Sequence, residues 1–177
     1  LATIKPLKGL SLALSYSYEL VDEDIMRKPV LLEGWNFLTD QVTYTTKTKF
    51  NITNENNKIE RYFNDAVLRY HHKFFKNSLT LDYMLGASQE LYRAKNLHVT
   101  KQDMIDLGMS VLDGATGQAS ANGGISEWAM RSVFSRLNLN WQDRYLLEFN
   151  LRADGSSRFL KNKRWGYFPS LSAAWRM

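Results

Sequence analysis

The sequence predicts an all-β chain: antiparallel strands of a transmembrane outer-membrane β-barrel, as an incomplete barrel segment of about six membrane strands with long extracellular loops. Three observations carry this expectation. Apolar and polar residues alternate with a period of two through several segments of about 10 to 14 residues. Tight turns and long polar stretches take turns as connections, and Tyr and Trp gather near the segment ends. A soluble sandwich also alternates, but its strands run to about five or six residues. A membrane-crossing strand needs roughly 9–11, with short turns on one side and longer loops on the other.

From Leu10 to Leu20 the even positions are Leu10, Leu12, Leu14, Tyr16, Tyr18 and Leu20, facing Ser11, Ala13, Ser15, Ser17 and Glu19. Successive side chains of a strand point to opposite faces, so one face is apolar and the other small or polar. Arg61 to Phe74 follows with Tyr62, Ala66, Leu68 and Tyr70 as its apolar face. Leu79 to Leu91 sets Leu79, Leu81, Tyr83, Leu85, Ala87 and Leu91 against Thr80, Asp82, Met84, Gly86, Ser88 and Glu90. Val133, Ser135, Leu137, Leu139 and Trp141 oppose Phe134, Arg136, Asn138 and Asn140; Tyr145, Leu147, Phe149, Leu151 and Ala153 oppose Leu146, Glu148, Asn150 and Arg152. A weaker strand covers Trp165 to Met177, with Leu171, Ala173 and Trp175 together.

Pro6-Leu-Lys-Gly9, Lys76-Asn77 and Gln142-Asp143 read as tight turns. Val21–Leu38 and Arg93–Glu127 read as the long loops, and Asp40–Thr53 as an arm beyond the membrane that pairs near Lys58–Phe63. Tyr16, Tyr18, Tyr92, Trp128, Trp141, Tyr145, Trp165 and Trp175 have the spacing of two interfacial girdles.

Composition narrows the function. The 177 residues contain no cysteine, which excludes disulfides, thiolate metal sites and cysteine nucleophiles. No run approaches the ~18–20 apolar residues of a membrane helix. The net charge of +5 is scattered, so no nucleic-acid partner is expected; the densest group, Lys161-Asn-Lys163-Arg164, reads as a solvated turn. The chain opens at Leu1 without a leader pattern and closes inside a strand pattern, the expectation being a piece of a longer polypeptide. Six strands do not close an outer-membrane barrel, whose smallest members have eight.

The runs Ser135-Arg-Leu-Asn-Leu-Asn-Trp-Gln-Asp-Arg-Tyr-Leu-Leu-Glu-Phe-Asn-Leu-Arg-Ala-Asp-Gly-Ser-Ser-Arg-Phe159 and Arg164-Trp-Gly-Tyr-Phe-Pro-Ser-Leu-Ser-Ala-Ala-Trp175 resemble the barrel signature of SusC/RagA-type TonB-dependent transporters. That resemblance implies that residues 1–177 are part of a single barrel domain, with the plug domain outside them. It implies the bacterial outer membrane and its lipid as surroundings. It also implies a SusD-like surface lipoprotein as partner, TonB engaged through other regions, and an oligosaccharide or peptide as cargo, with no catalytic reaction and no cofactor.

Within this frame Arg136, Asn138, Asn150 and Arg152 are the lumen-facing candidates, for plug or substrate contact. Asp154, Gly155, Ser156, Ser157 and Arg158 read as a turn at the outer rim, with Gly155 supplying unusual φ values. Trp141, Tyr145, Trp165, Tyr167 and Trp175 read as interface aromatics. His71-His72 points to opposite faces and Asp22-Glu-Asp24 lacks loop-site spacing, so no metal site is expected. No residue set suggests catalysis. The rival readings are a soluble β-rich carbohydrate-binding or adhesion module, and a passive porin.

Overall fold

The computed structural model describes residues 1–30, 33–44 and 50–177. Its strands are β1 (Ala2–Leu7), β2 (Leu10–Arg27), β3 (Glu33–Asn36), β4 (Gln41–Tyr44), β5 (Ile52–Phe74), β6 (Leu79–Lys101), β7 (Ala119–Trp141), β8 (Tyr145–Ser156) and β9 (Trp165–Trp175). Seven of them form one sheet in the order β1-β2-β5-β6-β7-β8-β9, and β3 pairs with β4. Each strand of the large sheet therefore lies beside its neighbours along that path. The sheet has one strand more than the expected six, because the short β1 pairs antiparallel with β2, Ala2 opposite Leu14 and Leu7 opposite Leu10. Pro6, which has no N–H to donate, falls on this outermost strand where the register slips between Ile4 and Leu7.

The long polar stretches differ from the expectation. Val21–Arg27, Arg93–Lys101 and Ala119–Glu127 are strand throughout, continuing β2, β6 and β7. Strand continues there because neighbouring backbones still pair, although both faces are polar and the period-two signal has faded. Gln41–Tyr44 pairs with Glu33–Asn36, Trp35 opposite Val42, and not with Lys58–Phe63, which lies inside β5. Residues 45–49 of the predicted arm lie outside the described residues.

Residues group into two compact units. The first comprises Leu1–Glu19, Glu60–Arg93 and Glu127–Met177, and includes the paired lengths that matched the alternation. The second comprises Leu20–Ile59 and Ala94–Ser126. Inside the second unit Ile52 and Ala115 are buried, Met104 bridges to Ala115, and Glu55 Oε1 accepts from Arg27 Nη1 at 2.9 Å and lies 3.3 Å from His98 Nδ1.

In the first unit the short connections follow from backbone handedness. Ser78 N donates to Phe75 O at 3.1 Å and Arg144 N to Trp141 O at 3.0 Å, each closing a four-residue turn. The central residues Lys76, Asn77, Gln142 and Asp143 all have positive φ, at 52°, 71°, 52° and 55°. This is the mirror-image turn whose twist matches paired strands. Gln142 N also donates to Ser78 O at 2.7 Å, tying one turn to the next. At the β1–β2 turn Gly9 has φ 84° and gives its carbonyl to His71 N at 2.7 Å. A Cβ there would lie 2.3 Å from His71 O, so handedness and close approach both require glycine.

The apolar face of this unit is not covered by protein. Among the described residues, the buried hydrophobics are Ala13, Ile52, Val67 and Ala115. Leu147 and Phe149 keep 38% of their surface, Leu151 41% and Leu171 70%.

A left-handed glutamine costs roughly 1 kcal/mol that glycine avoids, partly offset by glycine's larger loss of chain entropy. Gln142→Gly is expected to raise stability by about 0.5 kcal/mol while leaving Asp143 to its contacts. A higher urea midpoint, read by the heat-modifiable gel mobility of the folded protein, checks this.

Candidate functional site

Antiparallel register brings directly opposed residues to the same face of the sheet. On β7 and β8, Ser132 opposes Asp154, Phe134 opposes Arg152, Arg136 opposes Asn150 and Asn138 opposes Glu148. On β8 and β9, Arg152, Asn150 and Glu148 oppose Phe168, Ser170 and Ser172. Arg136, Asn138, Asn150 and Arg152 thus occupy one polar face.

Hydrogen bonds join Arg136 to Asn150 and tie Asn150 and Arg152 to further polar groups. Arg136 Nε donates to Asn150 Oδ1 at 2.7 Å, and Asn150 Nδ2 donates to Glu148 Oε1 at 2.7 Å and Ser170 Oγ at 3.3 Å. Arg152 Nε lies 2.8 Å from both oxygens of Asp154, and its Nη2 donates to Ser132 Oγ at 3.3 Å. Asn138 stands apart: its Oδ1, like that of Asn140, is buried without a partner among the described residues. The Arg152 guanidinium sits 6.0 Å from the centre of the Phe134 ring. Phe134 in turn lies over Gly86, where a Cβ would approach its ring to 2.3 Å. A glycine in mid-strand here makes room for an aromatic from the next strand.

The same face continues across β5 and β6 with residues that alternation alone had not singled out. His71 Nδ1 meets Asp82 Oδ1 at 2.6 Å, and Ser15 Oγ donates to Asp65 Oδ1. Arg61 reaches Glu19 at 2.9 Å and Glu90 at 3.5 Å, with its guanidinium 5.7 Å from the Tyr92 ring centre. Tyr92 stacks on Trp128 at 5.2 Å and 15°, and Arg158 lies 4.8 Å over Trp128. Tyr92 and Trp128, counted in sequence with the girdles, therefore belong to the polar face. The signal was in the sequence: Tyr92 has the parity of Asp82 and Glu90, and Trp128 that of Arg136.

The rim motif is built differently from its sequence reading. Strand β8 runs through Asp154, Gly155 and Ser156, and the turn begins at Ser157 and Arg158. Gly155 does not have a positive φ; its missing Cβ leaves space for the Trp165 ring, which a Cβ would meet at 2.9 Å. Ser157 bonds Ala129 twice, its N donating to Ala129 O at 2.9 Å and its Oγ accepting from Ala129 N at 2.8 Å.

On the opposite, apolar face, Trp141, Tyr145 and Trp175 lie in one row by register, with the Trp141 and Tyr145 rings 5.7 Å apart. Tyr167 and Trp165, opposite Ala153 and Gly155, lie on that face at the other end of β9. Between the two ends run Leu147, Phe149, Leu151 and Leu171. Ser135 Oγ donates to Tyr83 OH at 3.3 Å, so two polar groups on this face satisfy each other. His72 is sandwiched between Tyr70 and Phe74 on the face opposite His71, and the described residues hold no cluster of metal-ligating groups.

No protein-family model matches the sequence. The chain is 54% identical over 46 residues to the TonB-dependent receptor SusC of Bacteroides thetaiotaomicron, a stretch that is 26% of this chain and 5% of that protein. It is 36% identical over 66 residues to a TonB-dependent receptor of Formosa agariphila, covering 37% of this chain and 7% of the relative. In fold it is similar to a chain of the RagAB peptide transporter, with a TM-score of 0.84 and 18% identity, over 97% of this chain and 18% of that one. The RagAB importer in its open-open state gives 0.82 and 20% over the same shares. The matched lengths thus amount to a small part of each relative.

Breaking the Arg152 contacts leaves the Asp154 carboxylate with Ser132 as its remaining side-chain partner and removes the guanidinium from both, at a cost of about 1 kcal/mol for a half-exposed pair. Arg152→Met is expected to lower stability by that amount, and adding Asp154→Asn to recover part of it. A double-mutant cycle on unfolding midpoints checks the coupling, expected at about 1 kcal/mol.

Sequence resemblance and fold converge: over the matched stretch the chain is similar to TonB-dependent receptors of the SusC type, and its sheet has the fold of a stretch of the RagAB β-barrel wall.

Proposed function

We propose that residues 1–177 form part of the barrel wall of a TonB-dependent transporter that imports oligosaccharides or peptides together with a SusD-like surface lipoprotein. In this reading all 177 residues belong to one barrel domain, and the plug and the TonB-engaging segment belong to other parts of the protein. Energy enters through TonB, and the wall's task is passage and not bond chemistry.

The observation that carries the reading is the two-faced sheet. One face holds Arg136, Asn138, Asn150 and Arg152 among charged and amide partners, suited to a wet lumen. The other leaves Leu147, Phe149, Leu151 and Leu171 uncovered, suited to hydrocarbon. A soluble carbohydrate-binding module would bury that face against a second sheet. Trp141, Tyr145 and Trp175 then anchor one interface and Trp165 and Tyr167 the other, amphipathic rings at headgroup depth. The polar network has two tasks in this frame: gripping the plug, and offering charge-assisted hydrogen bonds to cargo. Likeness to SusC, a TonB-dependent receptor, supports the coupling to TonB, and likeness to the RagAB peptide transporter supports the peptide class of cargo.

The test uses the whole protein containing this segment, expressed with its lipoprotein partner. It should fractionate with outer membranes, and uptake of labelled oligosaccharide or peptide should vanish when TonB is deleted. Arg136→Leu combined with Asn150→Leu should lower uptake by roughly tenfold, the scale of one charged hydrogen bond, while the protein stays in the membrane. Conductance or uptake that persists without TonB would mark a porin, and recovery in the soluble fraction would remove the barrel reading.

A further inference from the structure

On the polar face of the sheet Arg61 answers Glu19 and Glu90, and Arg152 answers Asp154. Asp82 and Glu148 have no such partner. His71 Nδ1 lies 2.6 Å from Asp82 Oδ1, and Glu148 Oε1 accepts from Asn150 Nδ2 at 2.7 Å. Among the described residues no lysine or arginine stands within ion-pair distance of either carboxylate. Both line one open cavity of about 390 Å³, with Asn138, Asn140 and Ser172. Register explains the gathering, since Asn138 opposes Glu148 and Glu148 opposes Ser172.

The amides of this cavity add to its excess of acceptors. Asn138 Oδ1 and Asn140 Oδ1 are both buried with no donor among the described residues, an arrangement native structures avoid. The orientation of Asn140 is set by Nδ2, which donates to Asp143 Oδ1 at 2.7 Å. Asn138 makes no side-chain hydrogen bond among the described residues, so its amide turns about a broad terminal torsion to meet an incoming donor. Arg69 and Arg136 line an adjoining cavity with Asp82 and Asn138, beyond ion-pair distance, and Arg136 Nε is turned to Asn150. Two carboxylates and two amide oxygens thus lack a donor that carries positive charge. An ammonium has three N–H donors and no acceptor, one donor each for Asp82, Asn138 and Glu148. A sugar hydroxyl brings one donor with two acceptor lone pairs, and would set oxygen against oxygen.

We propose that Asp82, Asn138 and Glu148 bind an ammonium group carried by the cargo, with Asn140 as a further acceptor. The site rests on the transporter reading above and narrows it: the cargo is a peptide with a free amine, not a neutral oligosaccharide. A lysine of the plug would present the same chemistry to the cavity, and the experiment separates the two sources.

The experiment offers a tryptic digest of casein, untreated or acetylated on its amines, to cells carrying the whole protein and its lipoprotein partner. Mass spectrometry of the medium reads the TonB-dependent depletion of each peptide. Free-amine peptides should be taken up in preference to their acetylated forms by roughly tenfold, the scale of one charged hydrogen-bonded group. Asp82→Asn with Glu148→Gln should remove the preference by lowering uptake of the free-amine peptides alone. Glu148→Gln by itself should give an intermediate preference, which keeps the test open if the double variant does not reach the membrane. Glu33→Gln should leave the preference intact. Equal uptake of the two digests by the native protein, or a double variant that slows both alike, would overturn the proposal. So would uptake of oligosaccharide with neither digest. A double variant that keeps the preference but conducts without TonB would assign the cavity to a lysine of the plug and overturn the cargo. A native protein that stays in the membrane and takes up neither peptide nor oligosaccharide marks failure of the transporter reading, and the site falls with it.

Discussion

Backbone hydrogen bonding governs this structure before any side chain does. In hydrocarbon an unpaired N–H or C=O costs several kcal/mol, so a chain that crosses as strand must pair along its full length on both sides. The register from Met130–Ser156 to Trp141–Tyr145, and from Tyr145–Trp175 to Gly155–Trp165, runs without a gap, giving β8 a partner on either side. Handed turns follow from that demand, since a connection of two to four residues must return the chain in register. Where the ladder would be crowded, glycine yields: Gly9 to the backbone of β5, Gly86 to Phe134, Gly155 to Trp165.

Given a paired sheet, the hydrophobic effect acts in an unusual direction. It builds almost no interior, and the buried hydrophobics of the first unit are Ala13 and Val67. Cohesion on the polar face comes instead from short-range electrostatics organised across strands: Arg152 between Asp154 and Ser132, Asn150 between Arg136, Glu148 and Ser170, Arg61 between Glu19 and Glu90. Each cation is held by groups on its own strand or the next, so the network follows the ladder. Desolvation is partial, which keeps such pairs affordable and leaves lone pairs and N–H groups for a further partner.

What the sequence made legible is what lipid makes strict. Tyr145, Leu147, Phe149 and Leu151 cannot exchange faces without placing Glu148 or Arg152 in hydrocarbon, so alternation over β7 and β8 was readable residue by residue. So were the turns, since Lys76-Asn77 and Gln142-Asp143 stand between such runs. Beyond the band both faces meet water, the constraint lapses, and Val21–Arg27 or Ala94–Lys101 looks like loop although it is strand. Polar pairing was visible in kind but not in detail: that Arg152 prefers Asp154 two residues on its own strand, while Arg136 reaches across to Asn150, depends on side-chain geometry. Gly155 is the sharpest case, since a glycine before two serines suggests a bend, and only the Trp165 ring explains a straight one.

The strand order has a consequence for how such a wall changes over time. Apart from the step from β2 to β5, every neighbour in the large sheet is also the next strand along the chain, and the intervening residues 28–51 hold their own two-stranded hairpin. An insertion between β2 and β5 thus leaves the pairing of those strands intact. Hairpins act as modules: the excursions between them are free to lengthen, shorten or be exchanged by recombination, while the crossing strands keep one unchanging register.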